Sequence, residues 1–331
     1  MPCETPRNGM IGKNVPVRDA ALKVTGQIRY VGDMKLPRML YAKMLFSPLP
    51  HAKIKSIDTS QAEAMEGVCA VVCYWDSPSN RYNGNGEDKD INPSELVFDQ
   101  TVRFVGDKVA AVAADTEEIA RKALSLISVE YEELPFYLDP EEAMKEDAYP
   151  IHQGGNIIME SNNSGGDVDG AIRDADHVFR HRYEMPAVNH CSLETHVSIA
   201  EYDADGKLTV WTPTQDAFGQ RINLQRIFEL PMSKIRVISP VMGGGFGGKI
   251  DLVTEPVTAL LAIKTGRPVK MVYNRTEEFC CTRTRHAAKV DLTMAVKKDG
   301  TITAADETMI LKRRRPYHAP CPCAGGRRQV L

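Results

Sequence analysis

The chain has 331 residues, enough for a substantial core and more than one domain. With 43% hydrophobic and 26% charged residues and a formal net charge of −3, it lacks the basic excess expected of a nucleic-acid-binding protein. No apolar run approaches membrane-spanning length, and the opening Met1-Pro2-Cys3-Glu4 lacks a secretion-signal pattern, so a cytoplasmic protein is expected.

Residues 1–18 read as an irregular lead-in with Pro2, Pro6 and Pro16. A first domain is expected over 19–139. It opens with a short strand from Ile28 to Val31 and a mostly apolar strand from Met39 to Phe46, stopped by Ser47-Pro48-Leu49-Pro50. A half-buried strand follows from Ala52 to Ile57, then a short helix capped around Asp58-Thr59-Ser60 and a strand from Val68 to Tyr74. Asp76 to Glu95 is rich in Gly, Asn, Asp and Ser and reads as a long loop. Lys108 to Ala114 is a buried-looking strand, Asp115 with Glu118 resembles a capping box, and Ile119, Ala123 and Leu126 share a helix face before a strand from Ser128 to Glu132. Two strand–helix–strand units in one block predict an α+β domain.

Residues 140–170 turn acidic and rich in Gly and Asn, the composition of a linker. The next domain is expected over 171–311. Its strands are predicted at Val178 to Tyr183, Thr195 to Glu201, Leu208 to Thr212, Lys234 to Ser239 and Val269 to Tyr273, with helices at Phe218 to Phe228 and Glu255 to Lys264. The second helix has Thr254 as N-cap, Pro256 in its first turn and Gly266 past its end.

The chemistry concentrates in Met242-Gly243-Gly244-Gly245-Phe246-Gly247-Gly248-Lys249. So many glycines between regular elements call for positive φ angles or a close approach that a Cβ would block, and free N–H groups at a helix start suit an anion. Two phosphate motifs match on paper. A P-loop requires Ser or Thr after the lysine, where this chain has Ile250. A dinucleotide fingerprint requires an acidic residue at the end of the next strand, where Asn274-Arg275 stands.

Three further groups are candidates. His190, Glu194 and His196 share parity and on a strand would face one way, able to hold a metal or line a polar pocket. Gln215, closing Thr212-Pro213-Thr214-Gln215 between a strand and a helix, offers a donor and an acceptor at a strand end. Arg283 and Arg285 on one strand face would clamp an anion or stay solvated. The eight cysteines, Cys3, Cys69, Cys73, Cys191, Cys280, Cys281, Cys321 and Cys323, fit neither zinc nor iron–sulfur spacings and read as thiols.

The segments "DAALKVTGQIRY" (19–30), "SPLPHAKIKSIDTSQAEAMEGV" (47–68), "VGDKVAAVAADT" (105–116), "VNHCSLETH" (188–196), "WTPTQ" (211–215) and "PVMGGGFGGK" (240–249) stand in the order of the xanthine dehydrogenase/aldehyde oxidase family. From about Ile11 to Thr308 the chain resembles the molybdenum-binding large subunit of that family. The resemblance implies a hammerhead-like α/β domain followed by the first part of a molybdopterin-binding domain. It implies a molybdenum–pterin cofactor, its cytosine dinucleotide form included, and hydroxylation of a purine such as xanthine or hypoxanthine, or of another N-heterocycle. Gln215 matches the glutamine that bonds an oxygen ligand of molybdenum. Phe246 matches the residue whose backbone N–H approaches the metal's ligands, with Gly244, Gly245 and Gly247 permitting the approach. No protein side chain ligates the metal in that family. Partner subunits carrying FAD and [2Fe–2S] clusters are implied as well.

Two departures stand beside the resemblance. The family's second cofactor domain and general-base glutamate have no counterpart here, and from Lys312 onward six basic and no acidic residues break the strand pattern. Residues 312–331 therefore read as an atypical tail, from a frameshift or a truncated gene, and the chain as a fragment inactive alone. A second reading is a non-catalytic assembly module or split subunit that requires a complementary chain. Ile250 occupies a position where some members carry a polar or acidic residue that orients a purine, a role Glu255 would have to reach for.

Overall fold

A computed structural model describes residues 12–82, 95–152 and 154–312, together with the backbone of Gly326–Val330. Helix α1 (Ala20–Val24) and a single 3₁₀ turn at Val31–Asp33 lead into strands β1 (Leu40–Phe46) and β2 (Ala52–Asp58), helix α2 (Ser60–Glu63) and strand β3 (Val68–Cys73). Strands β4 (Thr101–Val102) and β5 (Lys108–Ala114), helix α3 (Glu117–Leu124) and strand β6 (Ser128–Glu133) complete the first segment. Next come α4 (Pro140–Ala143), β7 (Asn162–Gly165), α5 (Val168–Arg173), β8 (His177–Met185), β9 (Val197–Tyr202) and β10 (Leu208–Trp211). The remainder is α6 (Ala217–Phe228), β11 (Ile235–Ile238), α7 (Glu255–Thr265), β12 (Val269–Val272), α8 (Arg275–Cys281), β13 (Ala287–Val296), β14 (Ile302–Lys312) and β15 (Gly326–Val330).

One seven-stranded sheet, in the order β11-β10-β9-β12-β1-β5-β3, carries the molecule. It draws strands from both halves of the chain, joined where β1 pairs parallel with β12, Leu40 opposite Val269. Strand β5 shows why these residues form its centre. All seven of its residues are buried. Ala111 and Ala113 face a core shared with α7, whereas Ala110, Val112 and Ala114 face a second core with β2 and α3. Burial on both faces turns the usual alternation into a continuous apolar run, the pattern that makes this strand legible in sequence. A three-stranded sheet β4-β2-β6 and a five-stranded sheet β7-β15-β14-β13-β8 complete the architecture, a mixed α and β fold.

The strands flanking α2 and α3 lie in different sheets, so neither strand–helix–strand unit is a parallel crossover. Ala120 and Ala123 of α3 sit in the core beneath β5 and β2, and the chain passes from one layer to the other across the helix. The short strand expected at Ile28 to Val31 is absent; Val31 instead opens the 3₁₀ turn and packs with Val197 and Ile199. Thr116, not Asp115, caps α3, its hydroxyl accepting from the Ile119 N–H at 3.2 Å. The 140–170 stretch holds α4, β7 and the start of α5. Lys289 fastens Asp139 and Glu141, at the start of α4, to strand β13 with contacts of 2.8 and 2.6 Å.

Helix α7 is built as its sequence suggests, with Pro256 in the first turn and Gly266 in the left-handed conformation past its end, φ +61°. Thr254 stands at the N-cap, but its side chain makes no capping bond; its hydroxyl accepts from Ser198 at 2.8 Å. Most of the loop from Asp76 to Glu95 (83–94) and most of the tail from Lys312 (313–325 and 331, with Cys321 and Cys323) lie outside the described residues, as do 1–11 of the lead-in. Among the described residues no helix is long and apolar enough to cross a membrane.

Candidate cofactor-facing site

Strand β10 and strand β11 run parallel, and the segments that leave their C-terminal ends form the site. The first is Thr212 to Gln215, which ends β10 just before α6. The second is the glycine loop after β11. The loop does not open a helix: α7 begins only at Glu255, after the intervening 250–254 segment. The anion-at-a-helix-start expectation is thereby corrected, and the donors come from the loop itself.

Gln215 and the loop are tied at three points. The Gln215 N–H donates to the Lys249 carbonyl at 2.9 Å, and its side-chain Oε1 accepts from the N–H groups of Gly247 at 2.9 Å and Lys249 at 3.3 Å. Two amide donors converging on one atom assign that atom as oxygen, which turns the Nε2 donor end outward, where Gln215 is exposed. Thr214 reinforces the contact, its hydroxyl donating to the same Lys249 carbonyl at 3.1 Å.

The glycines are required by contact and by conformation. A Cβ on Gly245 would lie 2.5 Å from Gln215 Oε1, and one on Gly243 would lie 2.6 Å from the Glu194 Cβ. Gly244 and Gly247 have φ of +102° and +88°. Phe246 adopts φ +52°, a left-handed conformation uncommon for an aromatic residue, and is 74% exposed. Among the described residues, no hydrogen-bond partner meets the N–H groups of Gly244, Gly245 or Phe246. Three unpaired backbone donors in consecutive residues thus stand in the loop that Gln215 braces, a set suited to electron-rich oxygen atoms.

Behind this surface lie buried charges. Lys249, 2% exposed, meets Glu194 at 2.9 Å. His196 bridges Glu278 and the loop: its Nδ1 lies 2.9 Å from Glu278 Oε1 and its Nε2 lies 3.1 Å from the Gly248 carbonyl. Burial pushes the Glu278 carboxyl up, but the His196 hydrogen bonds and the nearby charges of His196 and Lys249 outweigh it and hold the group below its ordinary value. Arg283 is buried between Glu95 at 2.6 Å and Asp251 at 2.8 Å. His190 packs against Gly248, where an added Cβ would come within 2.8 Å of its ring, and burial lowers its basicity.

Several expectations change on this geometry. His190, Glu194 and His196 precede β9, which starts at Val197, so they do not share a strand face. Among the described residues no group of three His, Cys, Asp or Glu side chains could hold a metal. Arg283 lies outside any strand and is consumed by an internal ion pair, and Arg285 forms only an isolated bridge with Val188. Glu255 does not reach the site surface: it is 2% exposed and accepts from the Thr212 hydroxyl at 2.6 Å and the Val253 N–H at 2.7 Å. Sequence reasoning misses Glu278 and the role of Lys249. Glu278 sits in a polar-looking helix start, Arg275-Thr276-Glu277-Glu278, where only the tertiary contact with His196 separates it from its solvent-facing neighbours.

The donor set fits an oxo-metal pterin cofactor of the kind the resemblance implies, because the loop offers unpaired N–H groups and no competing side-chain ligand. Comparison with known proteins agrees with it. Residues 25–135 match the aldehyde oxidase and xanthine dehydrogenase a/b hammerhead domain, and residues 151–313 match the molybdopterin cofactor-binding domain. The chain is 42% identical over 304 residues to a probable xanthine dehydrogenase subunit of Bacillus subtilis, covering 91% of this chain and 40% of that protein. It is 36% identical over 300 residues to the nicotinate dehydrogenase large molybdopterin subunit of Eubacterium barkeri, covering 91% of this chain and 70% of the relative. Among solved structures, the aldehyde oxidoreductase of Desulfovibrio gigas superposes with a TM-score of 0.83 at 31% identity, over 89% of this chain and 34% of that one. The chain thus spans well under half the length of most of these relatives, yet both domain models match it and it covers 70% of the nicotinate dehydrogenase subunit: it belongs to the xanthine dehydrogenase/aldehyde oxidase family.

Proposed function

We propose that this chain forms one wall of the cofactor site of a molybdenum hydroxylase that acts on a purine or another N-heterocycle. The observation that carries the reading is the run of unpaired Gly244, Gly245 and Phe246 N–H groups in the loop that holds Gln215 by its Oε1. In this role Gln215 and the Phe246 N–H would hold the cofactor by donating to its oxygen atoms, and Gly244, Gly245 and Gly247 would keep the backbone free of Cβ atoms that would hold it away. The molybdenum–pterin group, when bound, supplies the two-electron oxidation of a ring carbon. Donors fixed before binding need no reorganisation when negative charge develops beside them, which is the contribution this wall makes.

Among the described residues, the carboxylates near this surface are all engaged elsewhere. Glu194 and Glu278 are held by Lys249 and His196, Asp216 caps α6 through the Gly219 N–H at 2.9 Å, Asp251 pairs with Arg283, and Glu255 is bonded internally. The general base and the opposite wall therefore come from another segment or chain. The names of the relatives, a xanthine dehydrogenase subunit and a large molybdopterin subunit, support assembly with further subunits; FAD and [2Fe–2S] carriers in the cytoplasm complete the reading.

The test is to express the chain in a host that makes the cofactor, alone and together with the C-terminal half of a related large chain. Molybdenum is then measured by mass spectrometry, and turnover of xanthine, hypoxanthine and nicotinate with a dye acceptor. The expected result is no turnover alone and recovery of molybdenum and activity on complementation. Turnover with stoichiometric molybdenum by the single chain would overturn the one-wall reading, and absence of molybdenum from the complemented protein would overturn the cofactor reading.

A further inference from the structure

Glu194 makes a set of contacts that neither the resemblance nor the fold assigns. Its Oε2 accepts from the N–H of Gly243 at 2.8 Å and from Lys249 Nζ at 2.9 Å, so one carboxylate oxygen joins the first and last residues of the glycine loop. Its backbone N–H also donates to the Gly243 carbonyl at 3.1 Å. The fit is close enough that Gly243 tolerates no side chain, its Cβ position lying 2.6 Å from that of Glu194.

Lys249 is the second link. Its side chain is held by Glu194, and its main chain grips Gln215 from two sides: the carbonyl accepts the Gln215 N–H and the N–H donates to Gln215 Oε1. The direction of the Gln215 side chain, with Oε1 turned inward and Nε2 outward, is thus set by a residue whose own place is set by Glu194. The pair is buried, Lys249 2% and Glu194 13% exposed at the side chain, so water does not stand in for either partner.

We propose that Glu194 is a positioning residue: its carboxylate staples the glycine loop shut and, through Lys249, aims the Gln215 amide at the cofactor. This rests on the cofactor reading above only for what the amide is aimed at; the staple itself is a property of the chain alone. A neutral structural role predicts something different. If the carboxylate served only to neutralise a buried lysine, removing both charges together would leave the loop as it was.

The experiment is hydrogen exchange on the purified chain, read at the loop amides by NMR or fragmentation mass spectrometry, for wild type, Glu194→Gln and the double variant Glu194→Met/Lys249→Met. The Gln215 side-chain amide signals are followed in the same ¹⁵N-labelled samples. The expected result is that the Gly243, Gly247 and Lys249 amides exchange faster by about tenfold or more in both variants, while strand 197–202 keeps its protection. The Gln215 amide signals should shift toward free-glutamine values. Loop exchange within about twofold of wild type in Glu194→Gln, or native exchange restored in the double variant, would overturn the proposal. Should the double variant not fold, Glu194→Gln decides alone. No cofactor is present in the measurement, so a negative result removes the staple and leaves the proposed function standing.

Discussion

His196 grips Glu278 from two positions: its backbone N–H donates to Oε2 at 2.8 Å and its Nδ1 lies 2.9 Å from Oε1, while its Nε2 faces the Gly248 carbonyl. A single side chain thereby connects helix α8 to the back of the glycine loop. Glu278 is 3% exposed, so the pair is fully internal.

Breaking this pair from one side leaves a buried polar ring without its partner. Glu278→Ala is expected to destabilise the chain by about 3–5 kcal/mol, read from urea unfolding. The same group sets an acid dependence. Its folded carboxyl titrates below the ordinary 4.5, so its contribution is fully present above that pH and is lost as the pH falls through the folded value. Glu278→Gln should accordingly flatten the decline in stability below about pH 4.5 while lowering stability at neutral pH. A decline as steep as that of wild type would show that other carboxylates govern it.

Gly245→Ala tests the contact on the opposite side of the loop. The new Cβ would sit 2.5 Å from Gln215 Oε1, and the side chain must move, which breaks its bonds from Gly247 and Lys249. The expected cost is about 1–3 kcal/mol in unfolding. In the complemented protein, Gly245→Ala and Gln215→Ala should lower molybdenum content alike, measured by mass spectrometry. Full occupancy in both would separate this contact from cofactor retention.

Arg283 lies between two acids, Glu95 and Asp251, all three side chains buried. Burial works against its charge, but the two carboxylates prevail. Arg283→Met removes the cation shared by both, and a loss of about 3–5 kcal/mol is expected by chemical denaturation. Adding Asp251→Asn should recover part of that loss, because one stranded charge is removed.

The thiols divide by environment. Burial pushes Cys73 up to about 12, and it is fully enclosed in the core beside β5. Cys191 and Cys280 are exposed. Under native, mildly alkaline conditions, iodoacetamide should label Cys191 and Cys280 and leave Cys73 unmodified until denaturant is added, as read by peptide mass spectrometry. Rapid labelling of Cys73 would mean that the β3–β5 core opens readily.

Local pattern carries as far as neighbouring residues reach. The apolar run of β5, the Pro256 and Gly266 bounds of α7 and the glycine loop between β11 and α7 are all legible in the sequence, because each depends on the preferences of adjacent residues. Gln215 and the loop can be named together only through the order of the family-like segments, since the positions between them give no local reason for them to meet. The misreadings have the same origin. A strand is expected at Ile28 to Val31 from local pattern alone, yet no neighbouring strand is described there to pair with it. The shared parity of His190, Glu194 and His196 assumes a strand that begins only at Val197.

The sequence by itself determined the family, most of the element types and the need for glycine at the loop. Only the tertiary structure decided that Arg283 and Glu255 are internal rather than ligand-facing, that Lys249 is buried against Glu194, and that Gln215 presents its amide nitrogen outward. Charge pairing and side-chain orientation are set by which groups meet after the sheet has brought β10 and β11 side by side, and nothing in the spacing of residues along the chain encodes that meeting.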